Sequence, residues 1–192
     1  MRTHGVNDST SLLERIETLI TSVYRTRAIS PWDEGPMRAA RFEQLFRESL
    51  SEWPLRNQTD LVYGGSTVLA FLLHPGHYIG IATRDGIETR ISRLGGVCFQ
   101  ALLEISHLGP FARLRFTKET LDRENDAINY EENDFPFRAE DTDFHDSLLD
   151  ILELEGIEII PREILDIVVP DVELDVTERG SATIYHCLFD EE

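Results

Sequence analysis

Lysine is almost missing from this 192-residue chain: of its 18 basic residues, 17 are arginine and one is Lys118. The lysine that a phosphate-binding loop needs does not follow Gly64-Gly65 or Gly95-Gly96, and neither pair fits G-x-G-x-x-G. The stretch PDVELD from Pro170 resembles half of a metal-nuclease site, but it too lacks the lysine such sites use. Cysteine is scarce, with Cys98 and Cys187 alone, too few for a disulfide framework and read as reduced, buried small hydrophobes. No apolar run approaches the roughly 18 residues of a membrane span, and the N-terminal MRTHGVNDSTSLLERIE has no apolar h-region. A soluble, cytoplasmic protein without membrane association is expected. Internal repeats, low-complexity linkers and a heptad seam are also lacking.

What is abundant is negative charge, and it is unevenly placed. Residues 1–120 hold 14 basic and 13 acidic residues, a net of +1, whereas residues 121–192 hold 4 and 23, a net of −19. Adaptation to high salt would acidify the whole surface, and solubility alone is served by a far smaller charge. Tyr130–Gly156 contains ten carboxylates against the single Arg138.

With 41% hydrophobic residues, the length suits one sizeable core better than two. An α+β fold is expected over 1–192, a single domain with N-terminal helices packed on a mostly antiparallel sheet and an acidic C-terminal third. Ser11 and Glu14 form a capping box ahead of a helical stripe of Leu12, Leu13, Ile16, Leu19, Ile20, Val23 and Tyr24. A second helix follows Pro36, with Phe42, Leu45, Phe46, Leu50 and Trp53 as its buried face. Turn signals at Pro75-Gly76 and Asp85-Gly86 then predict a three-stranded meander, with a central first strand over 66–73 and a third in which Ile87, Thr89 and Ile91 alternate with polar residues. A helix near 97–107, a strand at FARLRFT, a loop over 122–140, an amphipathic helix over 141–155 capped by Gly156, a strand at GIEII and a closing hairpin with a strand over 182–189 complete the reading.

In the 141–155 helix, Asp143, Asp146, Asp150 and Glu153 fall within about 80° of one another at 100° per residue, opposite Phe144, Leu148, Leu149, Ile151 and Leu152. A docked helix would present that acid stripe on a fixed surface. Calcium chemistry does not explain it, because an EF-hand loop begun at Asp141 puts Asp146 where Gly is required and Leu152 where the bidentate Glu belongs. Zinc is poorly served by His74 and His77 without a third ligand. Cys98 and His107, and likewise His186 and Cys187, point apart in their expected elements. Arg84, Arg90, Arg93, Arg113 and Arg115 form a candidate basic patch, for which intramolecular ion pairs and a solvated strand face are favoured.

No catalytic residue, metal or cofactor is assigned. The acidic face disfavours nucleic acid, whose phosphates reward basic groups, and suits a basic protein partner. By similarity of type alone, the expectation is a non-catalytic protein-binding module: an immunity protein of a toxin-antitoxin pair, or an inhibitor of a nucleic-acid-processing protein. Its contact residues are Glu131, Glu132, Asp134, Glu140, Asp141, Asp143, Asp146, Asp150 and Glu153. An adaptor subunit of a larger assembly is the alternative, and an enzyme built from distant residues such as Cys98 and His74 is a third.

Overall fold

The computed structural model describes residues 6–26, 35–60, 65–74, 84–122, 124–125, 127–174, 177–178 and 180–189. Five strands form an antiparallel meander in chain order: β1 (Leu55–Asn57), β2 (Ser66–Leu72), β3 (Val97–Ser106), β4 (Phe111–Asp122) and β5 (Ala127–Asn133). A two-residue strand, β6 (Glu158–Ile159), runs parallel to the start of β4 at Phe111 and Ala112. Helix α1 (Val6–Ile20) ends in a π-helical turn, Thr21–Arg25; α2 spans Gly35–Ser49, α3 Arg84–Arg93, α4 Thr142–Leu154, α5 Arg162–Leu165 and α6 Ile184–Phe189. The chain is an α+β protein, and no helix among the described residues is long and apolar enough to cross a membrane.

Strand alternation sorts the sheet into two faces. Leu69, Phe71, Ala101, Leu103, Ile105, Ala112, Leu114 and Phe116 point to one, where Phe42 and Phe46 of α2 and Phe144, Leu148 and Leu152 of α4 close a core. On the other face, Ile91 of α3 covers Leu72 and Cys98 at one end. At the opposite end, Ser106 donates a 2.6 Å bond to the Leu188 carbonyl of α6. A further core gathers Leu12, Ile16 and Ile20 of α1 with Phe111, Ile164, Leu165, Cys187 and Leu188. There the Tyr24 hydroxyl donates to the Cys187 carbonyl at 2.7 Å.

Several expectations are corrected. Helix α1 begins at Val6, so Ser11 lies inside it and opens nothing. The third strand of the expected meander is α3: Ile87 and Ile91, four apart, share a helical face as readily as a strand face, and Asp85-Gly86 sits in the first turn of that helix. The Pro75-Gly76 turn and the strand after it lie outside the described residues. The helix expected near 97–107 is β3, because its place between β2 and β4 overrides the helix-favouring run of Ala101, Leu102, Leu103 and Glu104. The stretch 122–140, expected as a loop, contains strand β5. The expected closing strand is α6, which packs against α1 rather than joining the sheet; Thr183 makes only an isolated bridge to Val168. The helix with the acid stripe forms as expected, and Gly156 ends it with φ 68°.

The charge boundary near residue 120 falls inside β4, and β5, β6 and α4 bring the acidic third onto that same strand. Truncation after Thr120 would strip β5 from the edge and α4 from Leu114 and Phe116, exposing apolar surface. We expect the 1–120 fragment to aggregate or to lack a cooperative thermal transition by circular dichroism. A soluble fragment with a sharp transition would contradict the shared core.

Candidate functional site

Helix α4 is fixed by its apolar side: Phe144, Leu148 and Leu152 are buried, with the Phe144 ring centroid 5.2 Å from Phe71 and 5.3 Å from Trp53. Asp143, Asp146, Asp150 and Glu153 consequently face solvent. Asp146 lies 3.2 Å from the Nδ1 of His145, while the side chains of Asp143, Asp150 and Glu153 meet no cation among the described residues. The stripe is therefore a fixed surface of largely uncompensated carboxylates.

The other five nominated acids have different fates. Asp141 is buried and takes two bonds from Arg138, at 2.8 and 2.7 Å; Glu140 pairs with the same arginine at 2.6 Å. Arg138 also donates to the Leu73 carbonyl and lies 4.3 Å over the Phe99 ring. Asp141 thus braces the entry to α4. Glu131 pairs with Lys118 at 2.6 Å. Glu132 joins a closed ionic ring on the opposite sheet face: Arg113 reaches Glu104 at 3.4 Å and Glu132 at 2.9 Å, and Arg115 reaches them at 3.0 and 2.9 Å. Asp134 is exposed where β5 ends.

Beside the stripe lies a slot that sequence reasoning missed. Strand β5 leaves β4 at the Phe116–Asn133 pair and β6 joins it at Ala112, so neither flanks Leu114. The gap opens on a cavity of about 390 Å³, walled by Leu114, Phe135, His145, Leu149, Ile159 and Leu165. Asp134 and Glu163, both exposed, border it, and Phe135 stands 66% exposed at its mouth. Leu149, expected opposite the acids, in fact flanks them: at 100° per residue it lies only about 40–60° from Glu153 and Asp146 on α4, which makes the slot and the acid stripe continuous. The available signal was Phe135 itself, an aromatic in the acidic, proline-containing run NDFPF.

Among the described residues, nothing assembles around the reactive-looking side chains. His74 accepts the Phe99 N–H at 3.2 Å and stacks on the Phe99 ring, which places it on the face opposite Cys98. Burial pushes the Cys98 thiol up to about 12, Arg90 opposing and Glu119 reinforcing the shift. The Cys187 thiol is raised to about 11 by burial. Both stay protonated near neutrality. His107 contacts Thr67 and His186 contacts Thr183, while His77 lies outside the described residues. No group of three His, Cys, Asp or Glu among the described residues is placed to hold a metal. Of the candidate basic patch, Arg90 pairs with Glu119 at 2.5 Å and Arg113 and Arg115 belong to the ring. Comparisons with protein-family models, curated proteins and solved structures found no match.

The ring has a pH signature. Burial alone would raise the Glu132 carboxyl, but the Arg115 hydrogen bond and the Arg115 and Arg113 charges outweigh it and hold the group below the ordinary glutamate value. A depressed folded pKa stabilises the fold fully above the unfolded value of about 4.3, and that contribution fades as pH falls through the folded value. Glu132→Gln should accordingly lower the urea midpoint at pH 7, and the gap to wild type should narrow steadily below about pH 4. A gap unchanged down to pH 2 would mean that Glu132 contributes no charge-dependent stability.

Proposed function

We propose that this protein is a cytoplasmic, non-catalytic binding module that captures a basic protein partner, acting as an immunity protein or inhibitor. The observation that carries the reading is the stripe of Asp143, Asp146, Asp150 and Glu153, held on a packed helix and continuous with an apolar slot. Fixed like charges accelerate encounter with an oppositely charged surface and disfavour wrong partners. An apolar cavity at the same surface supplies what charge alone lacks, a desolvated anchor point that slows dissociation. A partner segment with one large apolar side chain flanked by Arg or Lys fits both: the anchor enters beside Leu114 and Leu149 while its neighbours meet Asp146, Glu153 and Asp134. Arg113 and Arg162 also line the slot; the charge of Arg113 is matched within the ring, and Arg162 lies 3.9 Å from Asp166.

The division of labour is testable by kinetics. With the partner recovered by affinity capture on the intact chain, replacing Asp143, Asp146, Asp150 and Glu153 by lysine should slow association by about 10- to 100-fold at low salt. Dissociation should change less. Leu149→Ala should do the reverse, leaving association near wild type and accelerating dissociation. Wild-type association should fall steeply as added salt shortens the Debye length from about 10 Å at 0.1 M to about 3 Å at 1 M. If the folded charge-reversed chain associates at the wild-type rate, the acid stripe is only a solvated surface and the proposal fails.

A further inference from the structure

A second cavity of about 390 Å³ opens on the sheet face turned away from α4, under helix α3. Its floor is a cross-strand pair, Gln100 of β3 and Thr117 of β4, with Leu102 and Glu119 next along the same two strands. Arg90 forms one wall from α3, and Arg56 approaches from β1. The site is built from buried polar groups that the protein leaves unsatisfied. Thr117 is 1% exposed and its hydroxyl has no partner; Arg90 is 8% exposed and its Nε–H has none. Gln100 is also 8% exposed, and its amide makes no hydrogen bond among the described residues. Buried polar groups in folded proteins are almost always paired, so two buried orphans, Arg90 Nε–H and the Thr117 hydroxyl, lining one cavity beside the unbonded Gln100 amide point to a missing ligand.

The same inventory selects its chemistry. The open valences are dominated by donors: the Arg90 Nε–H, the Gln100 amide, the Thr117 hydroxyl and the guanidinium of Arg56, which forms no ion pair among the described residues. Against Arg56 and Arg90 the walls set one carboxylate, Glu119, which already accepts from Arg90 at 2.5 Å. The cavity therefore carries a formal charge of about +1 at neutral pH, within a chain of net charge −18. A cation would face donors, and a dianion would leave one charge unmatched beside Glu119. Ile87 and Leu102 add an apolar strip. We propose that this cleft binds a small organic monocarboxylate, with its carboxylate on Arg56, its body against Ile87 and Leu102, and an acceptor oxygen turned toward Thr117 and Gln100. This inference is independent of the binding function assigned to α4, because the sheet separates the two sites.

Titration of the intact chain with 4-hydroxybenzoate and with its uncharged counterpart 4-hydroxybenzamide tests the proposal, read by thermal midpoint and by nitrogen-15 correlation spectra that include the Gln100 side-chain amide. The acid should raise the midpoint and shift the Gln100 and Thr117 signals, and the amide should bind about tenfold more weakly or worse. Thr117→Val should fold with an unchanged or higher midpoint, since it removes an orphaned hydroxyl, and should weaken the acid by about tenfold. Arg56→Gln, at an exposed position, should fold normally and erase the preference for acid over amide. Absence of any response up to on the order of 10 mM acid would mean that water alone fills the cleft and would overturn the proposal. So would acid binding that neither variant changes, since that binding would lie elsewhere.

Discussion

The docking of α4 on β4 is the contact on which both the fold and its surface chemistry depend. Phe144, Leu148 and Leu152 lie among Phe71, Ala112, Leu114 and Phe116. Burying three such side chains contributes about 1.5–3 kcal/mol each. A 13-residue helix is marginal on its own, so this packing, rather than intrinsic propensity, holds it. Repulsion along the stripe works against it through three close pairs, Asp143 with Asp146, Asp146 with Asp150, and Asp150 with Glu153. Each costs only about 0.2–0.5 kcal/mol. Burial wins by several-fold, and the acids must face outward wherever the apolar residues face in. The chain can therefore carry a concentrated charge without losing the helix that displays it.

On the other face, ionic contacts fix register rather than supply bulk stability. Partly buried ion pairs gain little net free energy, because desolvation offsets attraction, but removing one partner leaves a buried charge exposed to that cost. Glu104 of β3, Arg113 and Arg115 of β4 and Glu132 of β5 form a ring in which each arginine meets both glutamates. A one-residue slip of β5 would turn Glu132 toward Phe116 and Leu148 on the core face. The ring thus pins β5 close to the point where it must leave the sheet. That departure creates the gap at Leu114, so the slot beside the acid stripe is a consequence of how the opposite face is charged.

The legible parts of the sequence were those where local pattern and tertiary environment agree. The faces of α1, α2 and α4 follow a helical period and are buried on the expected sides; β4 alternates Ala112, Leu114 and Phe116 with Arg113 and Arg115 and is a strand. Where the two disagree, local reading fails. Strand β3 alternates Gln100, Glu104 and Ser106 with Ala101, Leu103 and Ile105, but Leu102 breaks the pattern on the polar side, and the central Ala-Leu-Leu-Glu run reads as helix. Ile87 and Ile91 fit either period, and the Asp85-Gly86 pair tipped the reading toward a hairpin that the chain does not form. Of the nominated acids, the four on α4 were placeable because helical spacing fixes their direction. Asp141 and Glu132 were not, because the arginines that neutralise them come from Arg138 in a non-repetitive turn and from a neighbouring strand. The slot and the polar cleft arise from the end of β5 and from the crossing of α3 over the sheet, neither of which has a local signature.

The two proposed sites respond to ionic strength with opposite signs, because the same net charge acts on both. A basic partner is attracted by the acidic third from beyond contact distance, and salt removes that attraction. A monocarboxylate entering the cleft is repelled at long range by the chain's −18 and held only at short range by Arg56 and by the donors of Arg90, Gln100 and Thr117. Salt screens the distant repulsion more completely than these close, partly buried contacts. Up to moderate ionic strength, anion binding in the cleft should therefore strengthen or stay level while partner association slows. Pairing the acids on the cleft side with Arg90, Arg113 and Arg115, while the α4 stripe stays largely uncompensated across the sheet, is what makes the two behaviours separable. Were the same charge spread over the whole surface, the acids near the cleft would lie within a Debye length of it, and an anion site there would be suppressed at every salt concentration.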